Sequence, residues 1–151
     1  MSAETSNPLH PARHFSMWIL SRSKGGSAVR AAAYIDRTKI TDGRTGISHD
    51  SRQKAGLLRT GIVNWNDGDG PALWNGFEAV ETRINARLGR ELRIALPKEL
   101  PIGEQVRLVR SYCLWMKDQY GLACEWAIHA PTFHDEKEGR QLWQERSAPD
   151  G

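Results

Sequence analysis

The stretch FSMWILSRSKGGSAVRAAAY, from Phe15 to Tyr34, carries the clearest local signals in the chain. It opens with an apolar and aromatic run, Phe15 to Leu20, which is typical of a buried strand. A polar turn with two glycines follows, and Ser27 is placed to cap a helix. The alanine-rich segment after Ser27 favours a helix that we expect to continue to about Lys39. The stretch therefore predicts a strand, a tight turn and a helix.

Beyond Tyr34, turn-rich segments alternate with segments that have a clear apolar period. Residues 41–56 are rich in Gly, Asp, Ser and Arg, and we expect them to form a long basic loop. The spacing then predicts four elements: a helix over 72–88, a strand over 90–96, a helix over 103–120 and a strand over 123–129. Gly121 is placed to end the helix over 103–120. This order indicates an α+β or α/β fold with one sheet.

Length and composition indicate one globular domain, because 151 residues can bury a single core. No apolar run approaches the ~20 residues that a membrane helix needs, so we expect a cytoplasmic protein. Residues 1–13 and 132–151 are polar and without period. We interpret them as a disordered leader and a disordered tail on either side of a domain over 14–131.

The charge of the chain is unevenly distributed. Residues 1–60 contain 10 Lys and Arg against 4 Asp and Glu, whereas residues 61–151 contain 11 against 14. A basic first part is typical of a surface that binds a polyanion, although many solvated surfaces have a similar charge.

Several common site motifs are missing from the sequence. It has no Walker loop, no zinc-binding CxxC pair and no nucleophile elbow. Cys113 and Cys124 are far apart in sequence, and in a cytoplasmic protein we expect them to be reduced and buried.

Tyr34 is the first residue with possible chemistry. Arg30 precedes it by four residues and Arg37 follows it by three, so all three share one helical face. A phenol is a poor nucleophile at neutral pH unless cations stabilise its phenolate, and the same arginines could hold a phosphate. The spacing alone fits an exposed tyrosine stacked on arginines equally well.

His129 is the second candidate. It ends the last predicted strand and shares a strand face with Glu125, which is a conceivable substitute metal ligand. The best metal geometry on a strand is a His-x-His pair, and this sequence has none. From the residues alone, a metal site is suggested but not established.

Four stretches occur together in a recognisable order and spacing. They are SRSKGGSAV (21–29) with AAAY (31–34), DGRTG (42–46) with HD (49–50), RELRIALPKEL (90–100) and AIHAP (127–131). In this combination the chain resembles, over about residues 14–134, the N-terminal relaxase domain of the MobA/MobL family, which includes the TraA-type conjugative relaxases.

The resemblance implies a fold similar to the HUH endonucleases, in which helices flank an antiparallel sheet. It implies cleavage of one DNA strand at a plasmid transfer origin, with the tyrosine left on the 5′ phosphate and a divalent cation, Mn²⁺ or Mg²⁺, held by three histidines. Carried onto this sequence, Tyr34 matches the nucleophile, His129 the first metal ligand, and Glu91 a candidate supporting acid. Arg93 stands where the family tends to place a second acid.

The remaining two ligands of the family follow the first closely, in an Asn-Pro-His-x-His-like segment. Here residues 134–140 read HDEKEGR, and His134 could at best be a second ligand. We therefore expect the last strand and its His-x-His pair to be missing, as in a truncated, frameshifted or decayed copy. Metal binding should then be weak and nicking poor or absent.

The resemblance also implies partners. These are the single-stranded or hairpin DNA of a transfer origin, with other relaxosome proteins as further candidates. We expect Tyr34 and His129 to share a cleft, and basic residues to contact DNA, namely Arg22, Lys24, Arg30, Arg37, Arg44, Arg52 and Lys54. The alternatives are a non-catalytic module that recognises the transfer-origin hairpin, and an α+β domain with no role in nucleic-acid binding.

Overall fold

The computed structural model describes residues 14–131, which form three α-helices and six β-strands. The strands are β1 (Phe15–Ser21), β2 (Lys39–Thr41), β3 (Ser48–Asp50), β4 (Leu57–Val63), β5 (Arg87–Ile94) and β6 (Cys124–His129), and the helices are α1 (Ala28–Asp36), α2 (Gly70–Val80) and α3 (Ile102–Tyr120). Within this part of the chain the strands pair antiparallel as β1–β5, β2–β3 and β4–β6. The α+β prediction is confirmed, with the strands in three pairs. The expected leader and tail lie outside the described residues.

The turn between β1 and α1 is tight. The backbone N–H of Gly26 donates to the carbonyl of Ser21 over 2.8 Å. A Cβ at Gly26 would lie 2.7 Å from the backbone N and O of Ser21, so the close approach requires glycine. The predicted cap is confirmed, because the Ser27 hydroxyl accepts the Arg30 N–H over 3.1 Å.

The helix α1 is shorter than predicted. It ends at Asp36 rather than near Lys39, because Arg37 adopts the left-handed conformation, with φ 55° and ψ 43°. The Arg37 N–H then donates to the carbonyls of Ala33 and Tyr34, which closes the last turn.

The helix predicted over 72–88 is wrong beyond Val80. The guanidinium of Arg22 donates to the backbone carbonyls of Glu78 and Glu81, so groups outside the helix satisfy its last carbonyls. The chain turns, and Leu88 is buried on β5 beside β1, with 1% of its surface exposed. The apolar spacing that predicted one long helix is divided between a helix and a strand.

The loop predicted over 41–56 contains a hairpin, in which β2 pairs with β3. Asp42 closes the turn, since its N–H donates to the Ile47 carbonyl and its own carbonyl accepts the Gly46 N–H. The strand β4, which pairs with β6, was not predicted.

The core surrounds α1. The inner face of α1 contributes to two clusters of buried side chains, and Trp74 of α2 packs against both. The clusters are Val29, Ala32, Ala33 and Ile40, and Ala28, Ala86 and Leu88. The helix that carries Tyr34 is thus held on its buried side and open on the other.

The two cysteines are free thiols, Cys113 buried in α3 and Cys124 half-buried in β6. Their hydrogen bond, together with burial, raises the pKa of Cys113, so this thiol stays protonated. Among residues 14–131, no helix has the length and apolar character to cross a membrane.

Candidate active site

An open cleft of about 330 Å³ lies between α1 and the β1–β5 pair. Tyr34 lines it from the exposed face of α1, with 41% of its surface accessible. The aromatic and polar residues around it are Trp18, Ser27, Arg30, Tyr34, Glu91 and Arg93. The cleft therefore combines a phenol, two guanidinium groups and a carboxylate.

Two cations lie over the Tyr34 ring. The guanidinium carbon of Arg37 is 4.6 Å from the ring centroid, and the Lys54 ammonium nitrogen is 5.5 Å from it. Both distances are within the range of cation–π contacts. A shared helical face was expected to bring Arg37 to Tyr34, but Arg37 makes the contact from the left-handed residue that follows α1. No local pattern in the sequence indicated the contact with Lys54.

Arg30 lies inside the cleft rather than over the ring. One of its guanidinium nitrogens donates to the Gly25 carbonyl over 2.6 Å, which fixes the side chain at the N-terminal end of α1. A guanidinium has five N–H donors, so others remain for an anion that enters the cleft.

Glu91 reaches the same cleft from β5. In the β1–β5 pair it lies directly opposite Trp18, and its Oε2 accepts the indole N–H over 3.1 Å. The structure therefore brings Tyr34, Arg30 and Glu91 together, although they belong to two helical turns and a distant strand.

His129 is held beneath the C-terminal turn of α1. Its Nε2 lies 2.6 Å from the carbonyl oxygen of Ile35, and because a carbonyl only accepts, Nε2 carries the proton. His129 is not among the residues that line the cleft, so the structure brings it to the helical turn of Tyr34 but not into the cleft itself.

Glu125 lies on the same strand face as His129 and meets the end of α1. Burial and the neighbouring Asp36 carboxyl raise the pKa of Glu125 to about 8, while the indole N–H of Trp74 donates to it. The Thr60 hydroxyl donates a hydrogen bond to the carboxyl group of Asp36. A glutamic acid that is mostly neutral at pH 7 is a poor cation ligand, which argues against Glu125 as a substitute metal ligand.

A metal site is tested by the donor groups present. In the described part of the chain, no group of three or more His, Cys, Asp and Glu side chains could hold a metal ion. Protein metal sites normally offer three or more ligands, and His134 lies outside the described residues. The described residues do not fit a divalent-metal centre.

Arg22, which was expected to contact DNA, is largely buried. Only 12% of its side chain is exposed, and its guanidinium forms an ion pair with the buried carboxylate of Glu78 over 2.8 Å. Arg44 is partly engaged by the same carboxylate, at 3.5 Å, and remains 41% exposed.

The other basic residues face solvent. Lys24 and Lys54 are exposed, while Arg52 is exposed and paired with Asp50 over 2.8 Å. Hydrogen bonds from Arg52 lower the pKa of Asp50 to about 2, so this pair persists at neutral pH. An arginine that already has a carboxylate partner offers less to a phosphate.

Two cleft residues were missed by sequence reasoning. Trp18 was treated as part of a buried strand, and Arg93 only as a departure from the family pattern. In the structure the Arg93 guanidinium carbon lies 5.0 Å from the centroid of the Trp18 ring. The one available signal was strand alternation, which puts Glu91 and Arg93 on the same face of β5.

Comparison with known proteins identifies the family. The MobA/MobL family matches residues 26–138, and the chain belongs to this family. Mobilization protein MobL of Acidithiobacillus ferridurans is 40% identical over 127 residues, which are 83% of this chain and 34% of that protein. Conjugal transfer protein TraA of Rhizobium radiobacter is 34% identical over 131 residues, 77% of this chain and 12% of that protein. The chain thus spans about a third or less of these relatives.

The fold has a solved counterpart. The structure described as "Molecular Basis of Vancomycin Resistance Transfer in Staphylococcus aureus" matches 88% of this chain and 87% of its own, with a TM-score of 0.71 and 21% identity. At this identity the match shows a shared fold. The resemblance to the MobA/MobL family is confirmed.

Proposed function

We propose that this chain is the tyrosine-bearing part of a DNA relaxase that acts in plasmid mobilisation. Its relatives are mobilisation and conjugal transfer proteins, which supports the role. The observation that carries the proposal is the setting of Tyr34, which lies at an open cleft with Arg30 inside and with Arg37 and Lys54 over its ring. The substrate is the single-stranded or hairpin DNA of a transfer origin.

The reaction is a transesterification. The Tyr34 oxygen attacks the phosphorus of the scissile phosphodiester, a tyrosine–phosphate bond forms, and the bond to the 3′ oxygen breaks. The leaving 3′ oxygen takes up a proton, and Glu91 is the carboxylate in the cleft that is suited to receive the phenol proton. The 5′-phosphotyrosine keeps the bond energy, so the strand can be rejoined.

The cations support both partners of the reaction. Arginines bind phosphate oxygens through charge-assisted hydrogen bonds, and Arg30 has donors to spare. Arg37 and Lys54 offset the negative charge that gathers where the phosphate meets the phenol oxygen.

A second candidate is a non-catalytic module that recognises the transfer-origin hairpin. It is favoured by the absence of a complete set of metal ligands in residues 14–131. In either case we expect Mn²⁺ or Mg²⁺ to bind weakly to this chain and nicking to be poor or absent.

The test uses an oligonucleotide that spans the transfer origin and is labelled at its 3′ end. We expect the wild-type chain to bind it and to form a small amount of covalent adduct on a denaturing gel. Tyr34→Phe should bind equally well and form no adduct. Tyr112→Phe, which alters a tyrosine stacked on Trp115 in α3, is the matched control and should retain the adduct.

An adduct that persists in Tyr34→Phe would refute the assignment of the nucleophile. Binding without any adduct, even with excess Mn²⁺, would favour the non-catalytic module. An absence of DNA binding would refute both candidates.

A further inference from the structure

The cleft beside Tyr34 contains more than a phosphate site requires. The wall across from α1 contains the indole of Trp18, a residue in the middle of β1 that is 37% exposed. An indole that is open to a concave site offers a flat apolar surface on which a planar ligand can stack.

The Trp18 ring is fixed in orientation. Its indole N–H donates to Glu91 on the paired strand over 3.1 Å, which restrains rotation of the ring about the side-chain bonds. The Arg93 guanidinium lies 5.0 Å from the ring centroid. The two planar groups form a preorganised aromatic and cationic platform at the side of the cleft across from α1.

The size of the cleft limits its ligand. About 330 Å³ is at the lower end of the ~300–1,000 Å³ range of small-molecule sites, and suits one nucleotide unit. Arg30 and Tyr34 line one wall with donors for a phosphate, and Trp18 with Arg93 lines the other with a π surface. This is the combination of charge and stacking by which proteins hold single strands.

We infer that Trp18 and Arg93 form a base-stacking subsite for a nucleobase adjacent to the phosphate that Tyr34 attacks. The inference rests on the proposed function, because it assumes that single-stranded DNA occupies the cleft. Stacking accepts any base, so the subsite positions the strand and does not read its sequence. Trp18 is a positioning residue, whereas Tyr34 carries the chemistry.

The test compares two labelled strands of equal length and charge, dT8 and an eight-unit strand without bases. Fluorescence anisotropy with the wild-type chain should show dT8 binding about 10-fold more tightly or better. Trp18→Ala should bring this ratio close to one and leave the affinity for the abasic strand unchanged. Trp18→Phe keeps a ring and should retain most of the preference.

Trp115→Ala is the matched control, since Trp115 is 48% exposed on α3 and should leave the ratio unchanged. Circular dichroism melting of each variant checks the fold. A ratio that survives in Trp18→Ala, or a wild-type chain that binds both strands equally, would overturn the subsite while DNA binding stands. A wild-type chain that binds neither strand would also overturn the subsite, whereas the proposed function fails only if the transfer-origin oligonucleotide is not bound either.

Discussion

The two ends of α1 meet carboxyl groups in opposite settings, one fully buried and one half-buried. At the N-terminal end, Glu78 is fully buried, and its carboxylate accepts the Ala28 N–H over 2.8 Å and pairs with Arg22. A carboxylate at this end also interacts favourably with the helix dipole. At the C-terminal end, Glu125 meets another carboxyl, Asp36, and burial together with this neighbour raises the pKa of Glu125 to about 8.

The difference lies in the partners and not in the buried group. A guanidinium and a backbone N–H stabilise a charged carboxylate, whereas a second carboxyl favours a shared proton. The start of α1 is therefore fixed by an ion pair. Its other end, where Tyr34, Arg37 and His129 lie close together, includes a carboxyl pair whose contact depends on protonation.

The largest effect on stability is expected for Glu78→Gln. Removal of one partner of a buried ion pair leaves Arg22 without its carboxylate, and we expect the free energy of unfolding to fall by about 3–5 kcal/mol. Urea unfolding measures the loss. Glu104→Gln is the control, because Glu104 is exposed and pairs with Arg107 at 3.7 Å, so it should change stability by less than about 0.5 kcal/mol. Equal effects for the two variants would contradict the assigned role of Glu78.

The C-terminal end should respond to pH. The pKa of Glu125 is about 8 in the folded chain against 4.5 for an unperturbed glutamic acid, so the folded state binds more protons between these values. Stability therefore falls as pH rises from about 4.5 to 8. Glu125→Gln stays neutral, and at pH 8 it should be more stable than wild type by about 2 kcal/mol, a figure reduced for partial exposure.

Thermal unfolding from pH 5 to pH 9 provides the measurement. As the pH rises from 5 to 8, the melting temperature of the wild type should fall, and that of Glu125→Gln should change less. Glu104→Gln should follow the wild type. Parallel profiles for wild type and Glu125→Gln would mean that Asp36 and Glu125 do not share a proton.

A smaller effect concerns the cations over Tyr34. If Arg37 and Lys54 each neutralise a phosphate, the slope of log affinity against log salt for a single strand should fall by about 0.7 in Arg37→Gln and in Lys54→Gln. Titrations at several salt concentrations measure the slope. Arg107→Gln on α3 is the control and should leave it unchanged. Single-strand binding that is flat with salt in the wild type would refute phosphate contacts altogether.

The smallest expected effect is that of metal. With one histidine ligand among the described residues, calorimetric titration with Mn²⁺ should give weak binding, and His129→Ala should change it little. Tight stoichiometric binding that disappears in His129→Ala would show that His129 belongs to a complete site.

The parts of the fold that the sequence predicted have local causes. The β1 strand, the Ser27 cap, α3 with its stop at Gly121, and β6 each depend on patterns within a few residues. The end of α2 depends instead on Arg22, some 56 residues away, which no periodicity reveals. The β2–β3 hairpin was hidden by a turn-rich composition that is equally typical of a loop.

The candidate site was only partly visible for the same reason. Helical spacing placed Arg30 beside Tyr34, and the family resemblance pointed to Glu91. Arg37 reaches the Tyr34 ring from the left-handed residue that ends α1, which the helical spacing did not predict. The contact of Lys54 with the Tyr34 ring, the burial of Arg22 and the exposure of Trp18 all depend on how separate elements pack. The distribution of charge therefore predicted Arg22 as a DNA contact, whereas in the structure its guanidinium pairs with the buried Glu78.

The hydrogen bond between Ala28 and Glu78 joins positions 50 residues apart, and this has a consequence for synthesis on the ribosome. Chains grow from the N-terminus, so α1 emerges well before the residue that completes its first turn. A nascent chain that has not yet released Glu78 has only Ser27 and water for those N–H groups. The helix that carries Tyr34 therefore acquires its final form late, and no fragment that stops before Glu78 presents the tyrosine in its finished setting.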